Sequence, residues 1–277
     1  MNVYIELEGA MAISKEEQEY LVEQIESLTG KRPLFYLKFC SQENYAEDVC
    51  NGKLYANTAE YFRKRELETG ERGQGDQFEL LLSIKTENIT AIDNETGNVL
   101  FAAPKGMFNV QFKSDDELPI VSFTGIPLGD MKFVDADEHH AEFLFPFTDD
   151  EYDTMKERFG EYCVIIGARE LESQIASYCL NNNCDYVFDK IDYCDQNRID
   201  RIQAFNKSAK ERFLYKNADF SYQREYRLAV AEKIPDDHYI SIGKLDNAKI
   251  LKADELKQLK FSIEYLSHMR EEGESVK

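Results

Sequence analysis

Nowhere does this sequence run to the roughly 18 consecutive apolar residues that a membrane-spanning helix needs, so no bilayer span is expected. Basic residues are also scarce. Lys and Arg number 33 against 53 Asp and Glu, a formal net charge of −20 over 277 residues. Such a surface repels nucleic acid and anionic membrane and favours basic partners. The segment MNVYIELEGAMAISKEEQEY places acids where a secretory signal needs a basic flank, which points to the cytoplasm, the host's if the chain is phage-encoded. None of the six cysteines (Cys40, Cys50, Cys163, Cys179, Cys184, Cys194) forms a CxxC pair, and no His lies near Cys179 and Cys184 to complete a zinc site. They read as reduced, mostly buried thiols. Only four His occur; adjacent His139 and His140 would point to opposite faces of a strand, so no metal is expected. Repeats, low-complexity tracts and Pro/Gly/Ser linkers are absent.

What is present suits a globular protein: 43% hydrophobic and 31% charged residues, in a chain long enough for a substantial core. SKEEQEYLVEQIESLTG predicts a helix capped by Ser14, with Glu17 completing a capping box and Gly30 ending it. SQENYAEDVCNG predicts a helix capped by Ser41 and stopped at Gly52, and Thr58 should cap a short helix, AEYFRKRE. TDDEYDTMKERFG carries a Thr148/Glu151 capping box, and DQNRIDRIQAFNKSAKERF predicts one helix with Ile199, Ile202 and Phe205 as its apolar stripe. Short alternating runs between turn residues fill residues 77–145. The fold expected is α+β, with a central mixed or mainly antiparallel sheet flanked by helices. One main domain spans 1–277, with a weak subdivision near 146 between a β-rich 77–145 and an α/β 146–270.

The acidity is uneven. Residues 114–161 hold 14 acidic and 3 basic side chains, whereas 189–233 hold 8 acidic and 10 basic. The second region contains DFSYQREYRLAV, residues 219–230. Alternation would send Tyr226, Leu228 and Val230 into a core, and Gln223, Glu225 and Arg227 to the other face. That face is either a solvated sheet surface or the floor of a polar pocket. In a pocket Glu225 could act as electrostatic stabiliser or general base, with Arg227 lowering its pKa. GERGQGDQFE lacks the ending of a phosphate loop. Its Arg72, Asp76 and Glu79, with Arg63 nearby, form either a solvated loop or a loop that contacts phosphate or sugar. IVSFTG puts Ser122 and Thr124 on one strand face, without a nucleophile elbow.

Two separated pieces resemble a large uncharacterised family of bacterial and phage proteins. FYLKFCSQENYAEDVCNGKLYANTAEYFRKRE with RGQGDQFE is similar to its N-G-x-L-Y…D-x-x-E pattern, here Asn51 to Tyr55, then Asp76 and Glu79. YKNADFSYQREYRLAV is similar to its S-Y-(E/Q)-x-E-Y-R-L motif, with Gln223 at the variable position. A weaker likeness is to ADP-ribosyltransferases of the Arg-Ser-Glu class: Lys38 or Arg63, then Ser122 and Thr124, then Gln223 and Glu225. The Lys at 38 departs from that class. This likeness implies an NAD-type pocket with Glu225 stabilising the ribose cation and Gln223 facing the acceptor. Arg63, Arg227, Ser122, Asp76 and Glu79 would then bind substrate.

Two functions therefore stand side by side. One is a phage or mobile-element protein with a nucleotide-type pocket, ADP-ribosyltransferase-like, using NAD. The other is a non-catalytic acidic inhibitor. Asp115, Asp116, Glu117, Asp149, Asp150 and Asp153 would then cover the basic surface of a host nucleic-acid-binding defence protein.

Overall fold

The computed structural model describes residues 32–70, 72–136 and 140–264. The helix expected at 14–30 and His139 lie outside them. The fold is α+β. The chain begins β1 (Pro33–Cys40), α1 (Glu43–Cys50), β2 (Lys53–Tyr55) and α2 (Ala59–Thr69). Six strands follow: β3 (Leu82–Thr86), β4 (Ile89–Ile92), β5 (Val99–Ala103), β6 (Gly106–Val110), β7 (Ile120–Pro127) and β8 (Lys132–Ala136). Next come β9 (His140–Leu144), α3 (Asp149–Phe159), β10 (Tyr162–Gly167), α4 (Ala168–Asn182), β11 (Tyr186–Lys190), β12 (Asp192–Tyr193) and α5 (Ile199–Asn206). The last strands are β13 (Tyr215–Lys216), β14 (Glu225–Val230), β15 (Tyr239–Ser241), β16 (Lys249–Lys252) and β17 (Lys260–Glu264). The largest sheet is antiparallel, in the order β11-β14-β7-β1-β10-β16. Strands β8 and β17, which the sequence pattern did not reveal, both pair with β9.

The chain forms two compact units, each assembled from separated stretches. One holds 32–51, 124–174 and 244–264, so residue 146 lies inside one of its stretches. Here β10 pairs with β1 and β16, and Leu37, Ile126, Phe143, Phe145, Phe147 and Cys163 form the core. The Phe145 and Phe261 rings meet edge to face at 4.7 Å. Helix α3 starts as its residues dictate. Thr148 Oγ accepts the Glu151 N–H at 3.2 Å, and the Glu151 carboxylate accepts the Thr148 N–H at 2.8 Å. Helix α1 differs from expectation. Its N-cap is Gln42, not Ser41, in extended backbone and with no side-chain cap.

The other unit holds 52–123 and 175–243. Strand β14 pairs antiparallel with β11, and Ala59, Leu80, Ile120, Phe213 and Ala229 pack together. Thr58 Oγ caps α2 by accepting the Tyr61 N–H, as expected. The long helix expected over 195–213 breaks. It ends at Asn206; Ser208 turns left-handed and the Ala209 N–H reaches back to the Ala204 carbonyl, a Schellman-type stop. A single 3₁₀ segment resumes at Lys210–Leu214. The buried face of α5 is Arg201, Ala204 and Phe205, while Ile199 is 70% exposed.

Gly52 shows where backbone freedom is required. Its φ is +76°, and a Cβ there would sit 1.8 Å from the Gly243 carbonyl oxygen. Gly97 has a φ of +72° with open space around it. Gly97→Ala should therefore cost about 1–2 kcal/mol, the left-handed strain alone. Gly52→Ala should cost a few kcal/mol more, on the order of the largest single-site effects. Urea denaturation of the two variants checks the difference.

Candidate functional site

Glu225 and Arg227 lie on one face of β14, as alternation requires, but neither face of the strand meets water. Gln223 does not extend that strand. It ends a 3₁₀ turn, Ala218–Gln223, and Arg224 follows with φ +45° before β14 begins. The turn nevertheless returns Gln223 to the same neighbourhood.

Arg227 is the hub. Its Nη1 and Nη2 donate to the two carboxylate oxygens of Glu79 at 2.6 and 3.0 Å. Its Nε donates to Glu225 at 2.9 Å, and Nη1 also reaches the Phe213 carbonyl at 2.9 Å. Both carboxylate oxygens of Glu225 are engaged. Oε1 accepts from Ser122 Oγ at 2.6 Å as well as from Arg227, and Oε2 accepts from Lys216 Nζ at 2.8 Å. Its backbone N–H donates to the Tyr193 hydroxyl at 2.9 Å. Lys216 also donates to Gln223 Oε1 at 2.8 Å, and Gln223 Nε2 donates to the Gly73 carbonyl at 3.0 Å. Asp76 completes the group, accepting the Phe78 N–H at 2.9 Å. Glu225 is 2% exposed and Arg227 1%.

Charge follows this geometry. Burial alone would raise the Glu225 carboxyl, but Arg227 and Lys216 outweigh it and hold the group far below the usual carboxylate range. Burial disfavours the Lys216 and Arg227 charges, yet the facing carboxylates raise both pKa values. Asp76 behaves oppositely. Burial first, then the Glu79 charge, push it up to about 6, against the pull of Lys216 and Arg227.

The sequence-derived candidates thus converge: Ser122, Gln223, Glu225, Arg227, Glu79 and Asp76 share one buried network. Arg63 joins from outside, donating to the Glu79 carbonyl at 2.7 Å and to Asp116 at 2.5 Å. Lys216 and Tyr193 were not singled out from sequence. Lys216 is the second residue of the YKNADFSYQREYRLAV segment, so a signal for it existed. The acidic candidates divide. Asp115 is buried in a bidentate pair with Arg212, and Asp116 is held by Arg63. Glu117 is exposed. Asp149, Asp150 and Asp153 are exposed too, with Lys257 near Asp149 and Asp153. Among the described residues, no cluster of His, Cys, Asp and Glu is placed to hold a metal ion, and no helix is long and apolar enough to cross a membrane. No family model matches the chain, and no curated protein or solved structure matches it either.

Asp76 gives a pH test. Its folded pKa of about 6 exceeds the ordinary 3.8, so the neutral acid's contribution is full below about pH 4 and lost as pH rises through 6. Above that, the ionised group costs the fold on the order of 3 kcal/mol. Asn keeps the acceptor for Phe78 and cannot ionise. Asp76→Asn should therefore stabilise the protein at about pH 8 and change little at about pH 4, read from denaturation midpoints at the two values.

Proposed function

We propose that the chain acts by binding another protein, as a non-catalytic acidic inhibitor encoded by a phage or mobile element. Its partner would be a host defence protein with a basic, nucleic-acid-binding surface. The observation that carries this reading is the enclosure of Glu225, buried with both oxygens engaged. Three side chains engage both carboxylate oxygens and the group is buried, so a ribose could reach the best catalytic candidate only by displacing what covers it. What the surface offers instead is contact. The first turn of α3 presents Asp149 and Asp150, with Asp153 one turn on. Separately, the ribbon strands β4, β5 and β6 expose Ile92, Val99, Leu100, Phe101, Met107 and Phe108, each at 55% or more. Apolar exposure of that density supports a protein-binding role.

One observation favours the second reading, a nucleotide-type pocket that transfers ADP-ribose from NAD. Ser122, Gln223 and Glu225, ordered as in the Arg-Ser-Glu class, converge with Lys216 on one point. Catalysis there would require the Gln223–Gly73 bond to open and Glu225 to give up a partner.

Capture on tagged protein would supply the partner. Its affinity for a variant with Asp149, Asp150 and Asp153 reversed to Lys should fall about tenfold or more at low salt. The loss should shrink as ionic strength rises. Purified protein should release no nicotinamide from NAD. Release that vanishes in Glu225→Gln, with an unchanged circular dichroism spectrum, would support the transferase reading instead.

A further inference from the structure

Ala204 and Phe205 are ordinary residues for the buried face of α5; Arg201 is not. It is 1% exposed. Nη2 donates to the Leu81 carbonyl at 3.2 Å, but Nε and Nη1 have no acceptor. The Tyr215 ring lies 5.9 Å from the guanidinium carbon, and the Cys194 sulfur is close enough for a weak hydrogen bond from it. Neither neighbour is an anion: burial raises the pKa of that thiol and keeps it neutral. Other arginines of this unit differ. Arg227 meets Glu79 and Glu225, Arg212 meets Asp115, Arg63 meets Asp116, and Arg198, the N-cap residue of α5, meets Asp192 and Asp200. The Asp200 carboxylate accepts the Arg201 backbone N–H at 2.9 Å, but among the described residues no carboxylate pairs with the Arg201 guanidinium.

A second donor is stranded close by. Gln196 Oε1 accepts the Ser83 N–H at 3.0 Å, and its Nε2 has no acceptor. Leu81 and Ser83 are two residues apart, so one segment anchors both side chains. A guanidinium cannot shed its proton, and an enclosed charge without a counter-charge is far costlier than one hydrogen bond repays. Water could fill the vacant hydrogen bonds but not balance the charge. The unmet groups are all donors, which selects a ligand that only accepts and is negative. The surrounding stretch, 189–233, holds 10 basic and 8 acidic residues in a chain of net −20, and the nearby Asp192 and Asp200 are already answered by Arg198, so repulsion of an anion is reduced there.

We propose that Arg201 and Gln196 form a site for a phosphate-class oxyanion, taken free or as the phosphoryl group of a larger ligand. The inference depends on neither reading of the function. The test replaces chloride with inorganic phosphate at constant ionic strength and follows Tm, with native mass spectrometry for a retained anion. Wild type should show a saturable rise in Tm or one retained anion, and Arg201→Met should show neither. Gln196→Leu keeps the charge but loses one charge-assisted bond, so it should need about tenfold more phosphate; it decides the matter if Arg201→Met fails to fold. A parallel arm with AMP separates the sources: tighter saturation by AMP assigns a larger ligand, equal saturation the free ion. Wild type indifferent to both and carrying no anion overturns the proposal, as does an unchanged response in Arg201→Met.

Discussion

Arg227 takes a charge that cannot be neutralised into a place water does not reach, and the fold around it is arranged to answer that charge. Glu79 comes from a loop 148 residues earlier in the chain, and Glu225 from the same strand. Removing one partner of such a buried set leaves an uncompensated charge, typically at about 3–5 kcal/mol. Several local features depend on it. Glu79 fixes the loop that follows α2, where Leu80 adopts φ +49° and joins the core. Glu225 fixes Lys216, Lys216 fixes Gln223, and Gln223 ties the same loop through Gly73. The polar face of β14 is therefore a closed circuit of side chains.

That closure bears on what the residues can do chemically. A carboxylate held ionised by two cations and a hydroxyl is a weak base, and its burial keeps a substrate from its oxygens. Asp76 is the exception, since its neighbours and its burial favour the proton. The same economy lowers the effective acidity of the surface. Asp115 and Asp116 count toward the net charge but are answered internally by Arg212 and Arg63. The exposed carboxylates of α3 carry more of the field that a basic partner would meet than residue counts over 114–161 suggest.

Much of the architecture was legible because it is set locally. The Thr58 cap and the Thr148–Glu151 box are decided within four residues, and both form. The short strands of 77–145 are bounded by turn residues and mostly fall where the pattern puts them. Ser41 misled because an adjacent extended residue, Gln42, took the cap position. The helix expected through 195–213 misled because Ser208 entered the left-handed region, which no periodicity announces. The site was legible in membership but not in environment. Alternation states that Glu225 and Arg227 share a face; it does not state whether water covers that face. That depended on Glu79, far away in sequence. Arg201 was invisible for the related reason that a charged residue inside a polar-looking helix reads as exposed.

Arg227 and its carboxylates are held together as one structural unit rather than poised for a substrate. A double-mutant cycle of Glu79→Gln and Arg227→Met, followed by urea denaturation, measures this most directly. The account expects a coupling of about 2–3 kcal/mol, with the double variant less damaged than the two single losses added together. Additive losses, with coupling under about 0.5 kcal/mol, would contradict it.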